Sequence, residues 1–233
     1  MQLKGTARTV SYILKITVIV SALTGIILSA IPGRHSFMGG GTVFMYFTIQ
    51  SNILAALMSA SGLFLMLRRK EAGNALHVIK LTGAVSITLT GLVFTFVLVP
   101  VLKGNAWNLQ NTLTHAVVPL AFVLDFMITG ILSDIKRKNV FFVVIPPLLY
   151  AVYAGIGYMQ GWEFSPGVKY PYFFLNWGGP LKAFGLSREF PFMGTAWWIL
   201  SILVLIILTA LLYLSVIGMI KKQIYRNDIR QVS

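Results

Sequence analysis

The chain has no cysteine, and only six acidic residues stand against nineteen lysines and arginines. Without cysteine, disulfides, thiol catalysis and cysteine-based metal sites are excluded. The three histidines, His35, His77 and His115, are scattered along the chain. That scatter argues against a histidine-held metal centre, and no cofactor is implied. Charge of any sign is sparse, at 11% of residues, where a soluble domain carries about 25%. With 57% hydrophobic residues and a mean hydropathy of +0.80, the deficit points to lipid and not to a water-soluble core. A net charge of +13 could serve nucleic acid, but the cations sit in short runs between apolar stretches. No basic helix or RNA-binding motif accompanies them, so nucleic acid is not an expected partner.

What the sequence has in abundance is long apolar runs. Six of them, at about 10–31, 43–67, 77–102, 112–132, 140–159 and 196–220, each suffice for one crossing at about 20 residues per span. They predict an all-α protein, a six-transmembrane-helix bundle forming a single domain over 1–233, without repeat or linker. The first run is too long for the apolar region of a signal peptide, and no small-residue cleavage site follows it. It reads as the first membrane helix, with Lys15 near its start expected to snorkel to the interface. The longest non-spanning piece, 160–195, holds Trp162, Tyr170, Tyr172, Phe173, Phe174 and Trp177. Aromatics at that density fit a loop folded back at headgroup level, which could also cap a cavity.

Lysine and arginine placement sets the expected orientation. One side takes Lys4, Arg8, Arg68, Arg69, Lys70, Lys136, Arg137, Lys138, Lys221, Lys222, Arg226 and Arg230. The other takes Arg34, Lys103, Lys169, Lys182 and Arg188. Both termini are therefore expected in the cytoplasm, with the aromatic loop outside.

Residues 111–125, NTLTHAVVPLAFVLD, are apolar enough to cross a bilayer yet carry Asn, His and Asp. Asn111, His115, Val118, Phe122 and Asp125 are spaced four, three, four and three, along one seam of a helix. Ionisable groups in hydrocarbon are costly and should face the bundle interior or a wet cavity. Pro119 lacks the N–H that would bond the His115 carbonyl, so a bend is expected there. In the second span Thr48, Ser51 and Asn52 share one face. If the second and fourth helices are neighbours, Thr48 and His115 lie at similar depth below the outer face.

A threonine hydroxyl beside a neutral imidazole is one form of activated nucleophile. Imidazole has a suitable pKa to take the proton. Asn52, Asn111 or Asn176 could supply N–H groups to the developing oxyanion. Acyl transfer from an ester with lipid tails is the natural chemistry there, with membrane lipid or a lipid-like molecule as the partner. Taken alone, Thr48 reads as a structural membrane threonine. Asn52 reads equally well as interhelical glue, and His35 and His77 as solvated loop-edge residues. Trp107 and Trp177 fit interface anchors. Asp125, ten residues beyond His115 and so about 15 Å deeper, is too far to orient the imidazole. It could be protonated, or pair with Lys15 if the first helix is close. Glu163 and Glu189 are the remaining acids that could reach the His115 level.

Two segments together, YFTIQSNIL (46–54) and NTLTHAVVPLAFVLD (111–125), resemble the androgen-induced gene 1 / FAR-17a family of six-span membrane proteins. They resemble still more its bacterial Pr6Pr relatives. The shared pattern is an aromatic-x-Thr segment with a following Asn in the second span, and Asn-x-x-x-His with a nearby Pro in the fourth. Here these are Thr48 with Asn52, and Asn111–His115 with Pro119. Animal members are threonine hydrolases of fatty acid esters of hydroxy fatty acids, so the resemblance implies Thr48 as nucleophile and His115 as its base. It also implies a bacterial cytoplasmic membrane. A competing reading is a small transporter or lipid-binding protein in which His115 and Asp125 mark a solute or proton path.

Overall fold

The computed structural model describes residues 3–31, 40–102, 105–189 and 193–232, with side chains up to 227. The expectations for Arg34, His35, Lys103 and the Arg230 side chain fall outside these. Among the described residues, six helices are long and apolar enough to cross a membrane. They are α1 (Gly5–Ala30), α2 (Phe47–Leu67), α3 (Asn74–Val101), α4 (Leu109–Gly130), α5 (Arg137–Met159) and α6 (Thr195–Val232).

Local chemistry sets the ends. The stretch Gly40–Met45 winds as a 3-10 helix, so α2 begins at Phe47 and not at 43. Asn108 caps α4 by accepting the Asn111 N–H at 3.0 Å, which brings its start forward to Leu109. The segment Arg137–Val144 is 3-10, and the prolines that follow occupy the first α-helical turn, where their missing N–H costs nothing.

The helices α1 to α4 form a ring in which α1 packs on α2 and α4, and α3 packs on the same two. The helices α2 and α4 face each other across it. Against the outer side of α3 lie α5 and α6. The shared core includes Val18, Met58, Leu81, Val85, Phe122, Phe126 and Ile206. Small and polar residues face inward, as expected where lipid tails are as apolar as leucine and close backbone approach drives association. On α1, Ser11, Lys15, Val18, Ala22, Gly25 and Ser29 are buried, whereas Ile13, Val20 and Ile27 face outward.

Lys15 does not snorkel. It lies on that inward seam, 2% exposed, and meets Asp125. His77 is likewise buried rather than solvated, because α3 starts at Asn74 and carries it onto the bundle's inner side. At the opposite end the chain between α5 and α6 packs over α2, α5 and α6. The Tyr46 hydroxyl donates to the Phe164 carbonyl at 3.0 Å, Tyr172 stacks on Phe174, and Phe174 rests on Trp198.

Candidate active site

Thr48 is the second residue of α2, and its hydroxyl lies 3.3 Å from His115 Nε2. Both residues are buried. Because α2 starts four residues later than its apolar run, Thr48 sits in the first helical turn. Backbone N–H groups there have no partner in their own helix, and the helix dipole favours negative charge. The Thr48 N–H reaches the Tyr172 hydroxyl at 3.4 Å, and the Phe47 N–H faces the Tyr150 and Tyr172 hydroxyls. Tyr172 also lies 3.4 Å from Thr48 Oγ1.

The other ring nitrogen decides the tautomer of His115. Nδ1 lies 3.0 Å from the Asn111 carbonyl and 3.0 Å from Thr114 Oγ1. A carbonyl only accepts, and the Thr114 hydroxyl already donates to the Gln110 carbonyl at 2.9 Å. Nδ1 therefore carries the hydrogen, and Nε2 presents its lone pair to Thr48. A backbone carbonyl thus orients this imidazole in the place an acid takes in a Ser-His-Asp triad. Glu163 and Glu189 are exposed. The ring is also stacked on Phe94, with centroids 3.8 Å apart, and Trp107 meets Phe94 edge-on.

Two π-turns frame this arrangement, Leu113–Val117 in α4 and Phe94–Leu98 in α3. The first answers the Pro119 problem: the widened turn comes just before the proline, with the Val118 N–H reaching back to the Leu113 carbonyl. It also presents the His115 carbonyl to Gly91, where a Cβ would lie only 2.9 Å from that oxygen. Glycine at 91 lets α3 approach the distorted turn.

The three asparagines have separate fates. Asn52 gives one amide nitrogen to two carbonyls, Thr48 at 2.8 Å and Thr114 at 3.1 Å. With both N–H groups engaged it is a strut joining α2 to α4, not a free oxyanion donor. The Asn111 side chain donates to the Ala106 carbonyl at 2.8 Å, so its contribution to the site is its backbone oxygen. The Asn176 amide lies over Gly179, outside the residues that line the cavity beside Thr48. Asp125 lies at the other end of α4, bound to Lys15 and Lys80.

Tyr172 did not stand out in the sequence beyond the aromatic density of 160–195, and Tyr150, in the fifth apolar run, carried no signal. Burial pushes the Tyr172 phenol above its ordinary pKa, so it remains a donor through neutral and mildly alkaline pH.

Thr48 opens on a cavity between α2, α3, α5 and α6. Its walls are almost wholly apolar, among them Leu89, Val93, Leu148, Ile202 and Phe174. His115 stands behind Thr48 and Phe94, away from this space. The arrangement offers a hydroxyl at a greasy wall, a base behind it, and N–H and O–H donors beside it. No family model, curated protein or solved structure matches the chain.

Proposed function

We propose that the chain is an integral membrane hydrolase that cleaves an ester bond in a lipid-like substrate, with Thr48 as nucleophile and His115 as base. One observation carries the reading: Thr48 Oγ1 lies 3.3 Å from a His115 nitrogen whose lone pair is freed by the Asn111 carbonyl on the other side of the ring. The contact is long for a hydrogen bond, as catalytic contacts often are before substrate binds. The resemblance of 46–54 and 111–125 to the androgen-induced gene 1 / FAR-17a and Pr6Pr proteins points the same way. It names the substrate type as a fatty acid ester of a hydroxy fatty acid.

In this reading an acyl chain lies in the apolar cavity with its ester carbonyl at Thr48. The hydroxyl oxygen attacks the carbonyl carbon while its proton passes to His115 Nε2. The oxyanion meets the Tyr172 hydroxyl, which the Thr48 and Phe47 N–H groups hold in place at the positive end of α2. As the intermediate collapses, His115 returns the proton to the departing alcohol. Water then repeats the sequence to release the acid and restore Thr48.

Both termini are placed in the cytoplasm of a bacterial cell, which sets Thr48 near the outer leaflet. The lysine and arginine distribution supports that placement. A transport path through His115 and Asp125 finds less support. Val118 and Phe122 fill the seam between them at 0% exposure, and Asp125 is tied to two lysines.

The test is labelling of the full chain in maltoside micelles by a fluorophosphonate probe. Thr48→Ala and His115→Ala are each expected to abolish labelling. Full labelling of both variants overturns the proposal.

A further inference from the structure

A second cavity opens at the end of the bundle away from Thr48. Its lining includes Arg8, Lys15, Arg69, Lys70 and Lys80, against one acid, Glu71. At its floor Asp125 is shared by two lysines. Lys15 Nζ lies 2.7 and 2.9 Å from the two carboxylate oxygens, and Lys80 Nζ lies 2.5 Å from one of them. One carboxylate cannot neutralise two ammonium groups, so the floor carries a surplus positive charge where charge is expensive.

The hydrogen-bond inventory locates that surplus. An ammonium has three N–H donors. Lys15 directs its donors to Ser11 and both Asp125 oxygens. Lys80, 8% exposed, binds Asp125 and, at 2.8 Å, Thr129 Oγ1, which leaves one donor at the cavity wall. Arg8 reaches over the same space from α1, with one guanidinium nitrogen 3.5 Å from the Met66 carbonyl and its remaining donors available for a ligand. Gly62 makes room for this arrangement, since a Cβ there would lie 2.7 Å from the Lys15 Cε. The rest of the wall is mostly apolar, with Met58, Leu65 and Leu132, and includes His77 and Thr129.

We propose that this cavity binds a phosphate-type anion, held by Lys80 and Arg8 and borne on an amphiphile or free in solution. The surplus cations favour a phosphate monoester, which carries about −1.5 to −2 charges at neutral pH, over a singly charged carboxylate. The apolar wall suits an alkyl stem, and in the proposed orientation the mouth faces the inner leaflet and the cytoplasm. Asp125 lies ten residues along α4 from His115, about 15 Å, so this site is separate from Thr48 and does not depend on the hydrolase reading.

The experiment uses the full chain in dodecyl maltoside, with melting temperature followed against added dodecyl phosphate and, separately, inorganic phosphate. A saturable rise is expected, with half-saturation weakened about tenfold by Lys80→Gln and several-fold by Arg8→Gln. Tighter binding of dodecyl phosphate assigns the ligand to a lipid, and equal binding assigns it to free phosphate; both uphold the anion site. If Lys80→Gln does not fold, Arg8→Gln, which leaves the buried lysines and Asp125 intact, decides alone. No saturable rise with either anion, or native binding in the folded variants, overturns the proposal.

Discussion

Replacing Asp125 with Asn tests whether the buried ion cluster holds α1, α3 and α4 together. The carboxylate is 0% exposed and accepts Lys15, Lys80 and, at 2.5 Å, the Ser11 hydroxyl. Asparagine keeps the shape and removes the charge, leaving two ammonium groups from different helices side by side without a counter-ion. Breaking one buried pair by removing a partner costs about 3–5 kcal/mol. Orphaning two cations raises that figure, while their access to the cavity lets them rehydrate or shed a proton and lowers it. The expected loss is therefore also about 3–5 kcal/mol. The assay is reversible unfolding of the purified chain in mixed dodecyl sulfate and maltoside micelles, followed by circular dichroism. Lys80→Met is expected to cost less, because it leaves Lys15 and Asp125 as a balanced pair. The double variant Asp125→Asn with Lys80→Met should be more stable than the two single losses added together, since one orphaned cation is gone. A loss below about 1 kcal/mol for Asp125→Asn, or strict additivity in the double variant, would refute the reasoning.

Three further outcomes follow from the site beside Thr48. Under the proposed hydrolysis, Tyr172→Phe removes one donor facing the oxyanion and is expected to slow turnover by about a hundredfold; because burial raises the phenol's pKa, the native chain should show no loss of rate from Tyr172 through mildly alkaline pH. Asn52→Ala leaves the Thr114 carbonyl buried without its 3.1 Å donor and should cost about 1–3 kcal/mol in the same unfolding assay. Gly91→Ala, which ordinarily gains about 1 kcal/mol in a helix, should here lose stability and probe labelling together, because the new methyl meets the His115 carbonyl.

The spans were readable because apolar length alone marks them, and the seam from His115 to Asp125 was readable because helical spacing survives in lipid. Val118, Phe122 and Asp125 are all 0% exposed. What spacing could not carry was the order of helices around the ring. Lys80 therefore passed unnoticed as one more cation near a helix end, although it shares Asp125 with Lys15. The start of α2 is hidden for a related reason: the run 43–67 is predominantly apolar from its first residue, and hydropathy does not separate the 3-10 stretch Gly40–Met45 from the helix that follows. That shift matters chemically, because it moves Thr48 from mid-turn to the N-terminus. The π-turns had only Pro119 as a signal, and Tyr172 had none beyond a crowd of aromatics, because its position depends on how a segment of 160–194 folds back over α2.

The two ends of α4 are not independent. The helix is fixed at one end by the ion cluster and at the other by the π-turn that aims His115, with Val118 and Phe122 wedged between. A side chain about 6 Å from a helix axis moves about 2 Å when the helix turns by about 20°. That is enough to undo the 3.3 Å approach of His115 to Thr48, and a misplacement of about 1 Å can cost a hundredfold in rate. If the cluster sets the rotation of α4, then Asp125→Asn should weaken probe labelling at Thr48 even in the fraction that remains folded. Lys80→Met, which keeps the bond from α1 to α4, should leave labelling nearly intact. Equal labelling of folded Asp125→Asn and native protein would mean that the packing of Val118 and Phe122 fixes the rotation by itself, and that the buried charges serve the far cavity alone.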